Sequence, residues 1–96
     1  MFIISLTYQK PLEEVDAHLN AHVKFLKSHY AQGIFIASGR KNPRNGGVIL
    51  ALATNRADIE AVIAQDPFYI HDVAAYEITE FTPSMTSPEL LILANR

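Results

Sequence analysis

Three of the four histidines of the chain lie in one short stretch, DAHLNAHVKFLKSHY, at residues 16–30. An imidazole can donate or accept a proton near neutral pH and can ligate a metal ion, so this stretch is the first candidate for chemistry. If the segment is helical, the period of 3.6 residues places His22 on one stripe with a set of larger, mostly apolar side chains: Val15, Leu19, Leu26 and Tyr30. The pattern therefore predicts that His22 points inward.

A second titratable group continues an apolar stripe further along the chain. The spacing of Ile59, Ile63 and Asp66 carries the inner face of a second predicted helix onto a carboxylate. A buried carboxylate needs a partner, and an imidazole can be one. If the two helices lie side by side, His22 and Asp66 can touch, and the carboxylate would orient the imidazole so that its other nitrogen can move a proton. We take His22 and Asp66 as the candidate catalytic residues.

Two other interpretations of these residues stay open. His22 can be a hydrogen-bonded structural residue, and Asp66, which precedes a proline, can simply end a helix. His18 and His22 also have the i, i+4 spacing that lets two imidazoles meet one zinc ion, with Asp66 as a third ligand. The chain lacks the HExxH motif, and we expect neither a metal nor another cofactor.

Composition and charge narrow the range of partners. The chain of 96 residues contains no cysteine, which excludes disulfides, thiolate metal sites and thiol nucleophiles. A net charge of −2 with scattered lysines and arginines is a poor match to nucleic acid or to an anionic membrane surface. The apolar N-terminal segment is too short for a signal peptide, and no apolar run has the length of a membrane helix. We expect a cytoplasmic protein that meets a small-molecule substrate or ligand.

The elements that must position these side chains follow from hydrophobic period and from turn residues. Alternation in FIISLTY predicts a first strand, and a helix should then run from about Pro11 to Ala31 and stop at Gly33. GIFIASG and VILALAT predict a hairpin around the polar segment RKNPRNGG. Asn55 should cap a short second helix that closes at Asp66-Pro67, and VAAYEITEFT supplies the last strand. The predicted order is β-α-β-β-α-β.

This order predicts an α+β fold of the ferredoxin-like, split βαβ type, in which a four-stranded antiparallel sheet carries both helices on one face. We expect one domain over residues 1–96, with a core at 1–83 and a tail at 84–96. The face without helices should expose apolar side chains, for which we take Phe35, Ala37, Ile49 and Phe81. An exposed patch of this kind usually marks an interface, so we expect a homodimer of stacked sheets, with the tail as a further contact.

The same residues resemble the YCII-related (YciI-like) family of small dimeric α+β proteins. The resemblance rests on HLNAHVKFL with its inward histidine, on GIFIASG, on GGVILALA and above all on AQDPFYIHDVAAYEITEF, and it covers residues 1 to about 83. It implies a ferredoxin-like dimer that forms an α/β barrel, with an active site on the histidine and aspartate that correspond to His22 and Asp66. One relative is similar to a dehydrochlorinase of chlorinated hydroxyhydroquinone, and the fold also hosts muconolactone isomerase.

The loop after the Ser-Gly turn departs from many relatives, which have proline where this chain has Arg40. The planar guanidinium of Arg40 suits an anionic substrate group, and Ser38 and Phe68 are further candidate substrate-binding residues. The sequence therefore predicts an enzyme of the lyase, isomerase or hydrolase type that moves a proton on a small aromatic-derived or lactone-like molecule. The alternative is a non-catalytic dimer that binds a small ligand or serves as an accessory module.

Overall fold

The computed structural model describes all 96 residues, and its elements follow the predicted order with two additions. A single-turn helix, α3, lies between the second helix and the last strand, and a 3₁₀ helix occurs in the tail at Pro88–Leu93. The main elements are β1 (Phe2–Tyr8), α1 (Leu12–Ala31), β2 (Phe35–Arg40), β3 (Gly46–Ala51), α2 (Arg56–Ile63), α3 (Pro67–Ile70) and β4 (Ala74–Glu80).

The four strands form one antiparallel sheet in the order β2-β3-β1-β4, which confirms the ferredoxin-like fold class. On the central strand β1, every second side chain points toward the helices, and Leu6 is one of these. Leu6 pairs with Gly47 on β3 and with Tyr76 on β4, and Gly47 pairs in turn with Arg40 on β2. These four positions form one row across the inner face of the sheet.

The ends of the two longer helices have local causes in the sequence. Helix α1 stops because Gly33 adopts φ +74°, a left-handed conformation that only glycine takes without strain. Helix α2 begins because the Asn55 side chain accepts a hydrogen bond from the amide of Asp58 at 2.9 Å. Both signals were readable in the sequence, and they fix where the inner faces of the helices begin.

The buried face of α1 differs from the predicted stripe in its second half. Phe25 and His29 are buried there, whereas Tyr30 is 37% exposed. A row of side chains spaced by three and four residues does not match the helical period of 3.6 exactly, so over the twenty residues of α1 it moves around the helix. In the second half of α1 a neighbouring row of side chains therefore faces the sheet. Helix α2 also ends earlier than the stripe suggested, at Ile63, so that Asp66 belongs to the start of α3.

The hydrophobic core lies between the inner sheet face and the helices, and it corrects part of the prediction for the open face. Phe35 and Ile49, expected on the uncovered face, are 2% and 3% exposed and belong to the core. Their positions are inward because they pair with the inward residues Ala51 and Ile4. The open face instead carries a mixed set of side chains: Ile3, Ser5, Ala37, Val48, Leu50, Ala75 and Glu77. Homodimerisation through this face stays a prediction.

None of the helices combines the length and the apolar character needed to cross a lipid bilayer.

Candidate active site

The structure brings His22 and Asp66 into direct contact across the interface between α1 and the start of α3. The Nδ1 atom of His22 lies 2.7 Å from Oδ1 of Asp66, in a site where the aspartate is fully buried and the histidine is 8% exposed. The two residues are 44 positions apart in the chain, so only the tertiary fold creates this pair. We call it the His22–Asp66 pair.

Asp66 is held in place by the short helix that it begins. Its Oδ1 atom accepts a hydrogen bond from the backbone N–H of Phe68 at 2.9 Å, as the N-cap of α3, and Pro67 occupies the first helical position. The Asp-Pro-Phe segment thereby turns the chain so that the carboxylate faces α1. One oxygen atom of Asp66 serves both as a helix cap and as the partner of the imidazole.

A second inward residue, which the sequence patterns did not single out, also binds this carboxylate. The hydroxyl of Tyr76, on the inner face of β4, donates to Oδ2 of Asp66 at 2.5 Å. The available signal was the alternation of β4, which places Tyr76 and Ile78 on one face, because an inward tyrosine hydroxyl normally needs a partner. Its partner could not be read from the sequence, since it depends on how β4 returns past α3.

The imidazole of His22 is fixed in orientation but remains open on one side. Its ring stacks on Phe68 at 4.0 Å between centroids, with only 5° between the planes. Its Nε2 atom forms no hydrogen bond with the protein. Every buried side-chain nitrogen in the protein has a hydrogen-bond partner, so Nε2 is not one of the buried atoms. Nε2 is therefore accessible, which is what a proton-transfer group requires and what a sealed structural histidine lacks.

The side chain of His22 lines a cavity of about 180 Å³ between α1 and the inner sheet face. The walls are mostly apolar, and the cavity joins residues from α1, three strands and α3: Leu6, Tyr8, Leu19, His22, Val23, Leu26, Ser38, Gly39, Arg40, Gly46, Gly47, Val48, Ile49 and Phe68. A volume of this size suits a single-ring compound. All three residues predicted to bind substrate, Ser38, Arg40 and Phe68, lie along its wall.

The three candidate binding residues differ in how firmly they are held. Phe68 is 1% exposed and forms the face against which His22 stacks. The Ser38 hydroxyl shares a hydrogen bond of 2.6 Å with the hydroxyl of Tyr30. Arg40 is exposed and takes part in no ion pair or side-chain hydrogen bond, so its guanidinium is free to meet an anionic group at the cavity.

The other histidines do not join the His22–Asp66 pair. The ring of His18 stacks on His71 at 4.1 Å, and His29 is buried, with its Nδ1 atom 2.8 Å from the carbonyl oxygen of Phe25. The zinc site considered above required His18, His22 and Asp66 to converge on one point. No group of three or more histidine, cysteine, aspartate or glutamate side chains is arranged to hold a metal ion.

Gly47 opens the cavity by the absence of a side chain. It lies on the inner face in the same row as Leu6 and Arg40, and a Cβ atom there would come within 3.1 Å of the Gly39 carbonyl oxygen. We expect Gly47→Val to fill part of the cavity and to weaken the binding of a single-ring ligand at least about tenfold, with a loss of about 1–2 kcal/mol in unfolding free energy. Isothermal titration and denaturant unfolding measure the two effects.

The matched control is Ala37→Val, because Ala37 pairs with Leu50 on the open face, is exposed and does not line the cavity. Equal ligand affinities in Gly47→Val and in the wild type would show that ligands bind elsewhere.

The protein is of the α+β class with a ferredoxin-like fold. Between its helices and its sheet, an imidazole–carboxylate pair lies beside a small apolar cavity, and this arrangement makes a candidate proton-transfer site. The comparison with family models gives the particular family. Residues 1–82 match the model of the YCII-related domain. The chain therefore belongs to the YCII-related family, which confirms the resemblance found in the sequence.

A solved structure supports the fold. The chain is similar to 5-chloro-2-hydroxyhydroquinone dehydrochlorinase from Burkholderia phenoliruptrix AC1100, solved in complex with 2,5-dihydroxybenzoquinone, with a TM-score of 0.71 and 15% sequence identity. The match covers 85% of this chain and 94% of the dehydrochlorinase chain. At this identity the likeness concerns the fold alone. A search of the curated proteins gives no match.

Proposed function

We propose that the protein is a small-molecule enzyme in which His22 acts as a general acid or base. The observation that supports this proposal most directly is that the two imidazole nitrogens of His22 have different surroundings. Nδ1 contacts the buried Asp66, whereas Nε2 is accessible, and the His22 side chain lines the cavity. Such an arrangement fixes the tautomer and leaves a lone pair for a proton of the substrate. Asp66 would act as the orienting partner of His22.

The cavity favours a flat, mostly apolar molecule with one anionic group. Its apolar walls suit a ring, and Arg40 is the cationic side chain that lines it. A carboxylate or a phenolate oxygen held by Arg40 would fix the ring while His22 moves a proton at another atom. The dehydrochlorinase with the same fold binds 2,5-dihydroxybenzoquinone, which is a ring with acidic oxygens, and lyase or isomerase chemistry on such a compound fits this geometry.

Deuterium exchange tests the proposal even though the full reaction is not specified. The wild-type protein is incubated in deuterated buffer with 2,5-dihydroxybenzoquinone and with a set of hydroxylated aromatic acids and lactones. NMR then follows the loss of carbon-bound protons. We expect at least one compound to exchange faster with the protein than without it. If compounds bind but none exchanges, the protein is a ligand-binding module and the enzyme proposal is wrong.

Arg40 provides a test of the anionic group. We expect Arg40→Gln to weaken the binding of an anionic ring compound about tenfold, because it removes one exposed charge-assisted contact, and to leave the affinity for an uncharged analogue unchanged. Isothermal titration with the two ligands measures the difference.

Arg56→Gln is the control, since Arg56 carries the same charge but pairs with Glu60 on α2, away from the cavity. Equal losses in both variants would mean that only the overall charge of the protein matters.

A further inference from the structure

Tyr76 is the one side chain other than His22 that binds the Asp66 carboxylate. Its hydroxyl donates to Oδ2, whereas His22 and the Phe68 amide share Oδ1. We propose that Tyr76 is a positioning residue that, with Asp66, forms a three-residue chain Tyr76–Asp66–His22 and fixes the proton on Nδ1 of His22. Its effect on turnover rests on the proposed function of His22, but its effect on the imidazole does not.

The hydrogen bonds of the carboxylate assign the tautomer of His22. The Phe68 N–H can only donate, so Oδ1 acts as an acceptor toward it, and the Tyr76 hydroxyl supplies a proton to Oδ2. The carboxylate therefore acts as an acceptor on both oxygens. The proton between Oδ1 and His22 therefore belongs to Nδ1, and Nε2 carries the lone pair that faces accessible space.

Tyr76 is suited to remain a hydrogen-bond donor at pH values where an exposed tyrosine would ionise, because its pKa is raised. Burial of the phenol, together with the charge of Asp66 and the hydrogen bond to it, raises the pKa of Tyr76 far above that of an exposed tyrosine. Ionisation would place a second negative charge beside a fully buried carboxylate, which is strongly unfavourable. The rings of Tyr69 and Tyr76 pack edge to face, with 5.7 Å between their centroids.

This arrangement limits what Asp66 can do during a reaction. With Tyr76 on Oδ2, and with His22 and the Phe68 amide on Oδ1, both oxygens of Asp66 are already engaged by donors. A proton taken from a substrate therefore stays on Nε2 of His22 and returns from there, while Asp66 remains an anion that stabilises the imidazolium. Loss of the Tyr76 hydroxyl leaves Oδ2 buried without a donor, so the carboxylate must rotate or take up a proton.

The test compares Tyr76→Phe with Tyr69→Phe by NMR of ¹⁵N-labelled histidine. Tyr69→Phe is the matched control, because the Tyr69 ring touches Tyr76 but is 51% exposed, and its hydroxyl makes no hydrogen bond with the Asp66 carboxylate. We expect one Nδ1–H tautomer of His22 in the wild type and in the control. In Tyr76→Phe we expect a mixture of tautomers and exchange of the Nδ1 proton with water that is about tenfold faster, as for the loss of one buried hydrogen bond.

A merely structural role for Tyr76 would lower the melting temperature and leave the His22 signals unchanged, and that result would overturn the proposal. If Tyr76→Phe does not fold, the wild-type sequence is instead produced with ring-fluorinated tyrosine, which is a stronger hydrogen-bond donor. The stronger bond draws charge from Asp66, so the Nδ1 proton resonance of His22 should move upfield. An unmoved resonance would contradict the proposal. Neither readout needs a substrate, so the proposal can stand even if no turnover is found.

Discussion

Replacement of His22 by glutamine should reduce turnover about 10²–10⁴-fold, which is the usual contribution of a general acid or base. Glutamine keeps an amide N–H that can donate to Asp66 and fills much of the same volume, so the fold should survive with a loss of less than about 2 kcal/mol. It offers no lone pair of comparable basicity at the position of Nε2. The ring-exchange assay measures turnover, and circular dichroism with denaturant unfolding measures the fold.

His71→Gln is the control for this variant. His71 is exposed and stacks on His18, so its loss removes an imidazole from the same region without touching the His22–Asp66 pair. We expect turnover within about twofold of the wild type in this control, since surface substitutions seldom disturb a site that they do not touch. Turnover that persists in a well-folded His22→Gln protein would eliminate His22 as the proton-transfer group.

Replacement of Asp66 by alanine should cause the largest loss of stability among these variants, about 3–5 kcal/mol. The fully buried carboxylate accepts hydrogen bonds from the imidazole of His22, the amide of Phe68 and the hydroxyl of Tyr76. Its removal leaves three donors without a partner and also uncaps α3. Denaturant unfolding measures the loss, and for a domain of this size it is a large part of the total stability.

Asp58→Ala measures what an ordinary carboxylate contributes. Asp58 is exposed in the first turn of α2, where it interacts with the helix dipole, so its loss should cost no more than about 1 kcal/mol. Similar losses in the two variants would mean that the three hydrogen bonds of Asp66 contribute nothing to stability. Asp66→Asn should fall between them, because its amide keeps one oxygen as an acceptor.

The sequence predicted the parts of this site that depend on local patterns. The inward position of His22 followed from the helical period, and the ends of α1 and α2 followed from Gly33 and from the Asn55 cap. The contact between His22 and Asp66 followed from two such patterns and from the layout of the βαββαβ order. Each of these inferences needed only residues that are near each other in the chain, together with a common fold.

The parts that were missed depend on how segments meet in space. Phe35 was placed on the wrong face because strand register, which alternation alone does not give, decides the direction of its side chain. Asp66 was assigned to the end of α2, although it lies beyond Ile63, where α2 ends, and caps a new helix. The partner of Tyr76 required both the register of β4 and the turn of α3.

The amide of Phe68 gives this protein a built-in reporter on the state of its imidazole. That amide donates to the same oxygen atom of Asp66 that His22 contacts, so any gain of charge or loss of contact at His22 changes the hydrogen bond of the amide. A backbone amide is visible in routine two-dimensional spectra, where imidazole signals are often broadened. The chemical shift of one amide, at the start of α3, can therefore report compounds that enter the cavity beside His22 and Phe68, and a library can be screened without any assay of reaction.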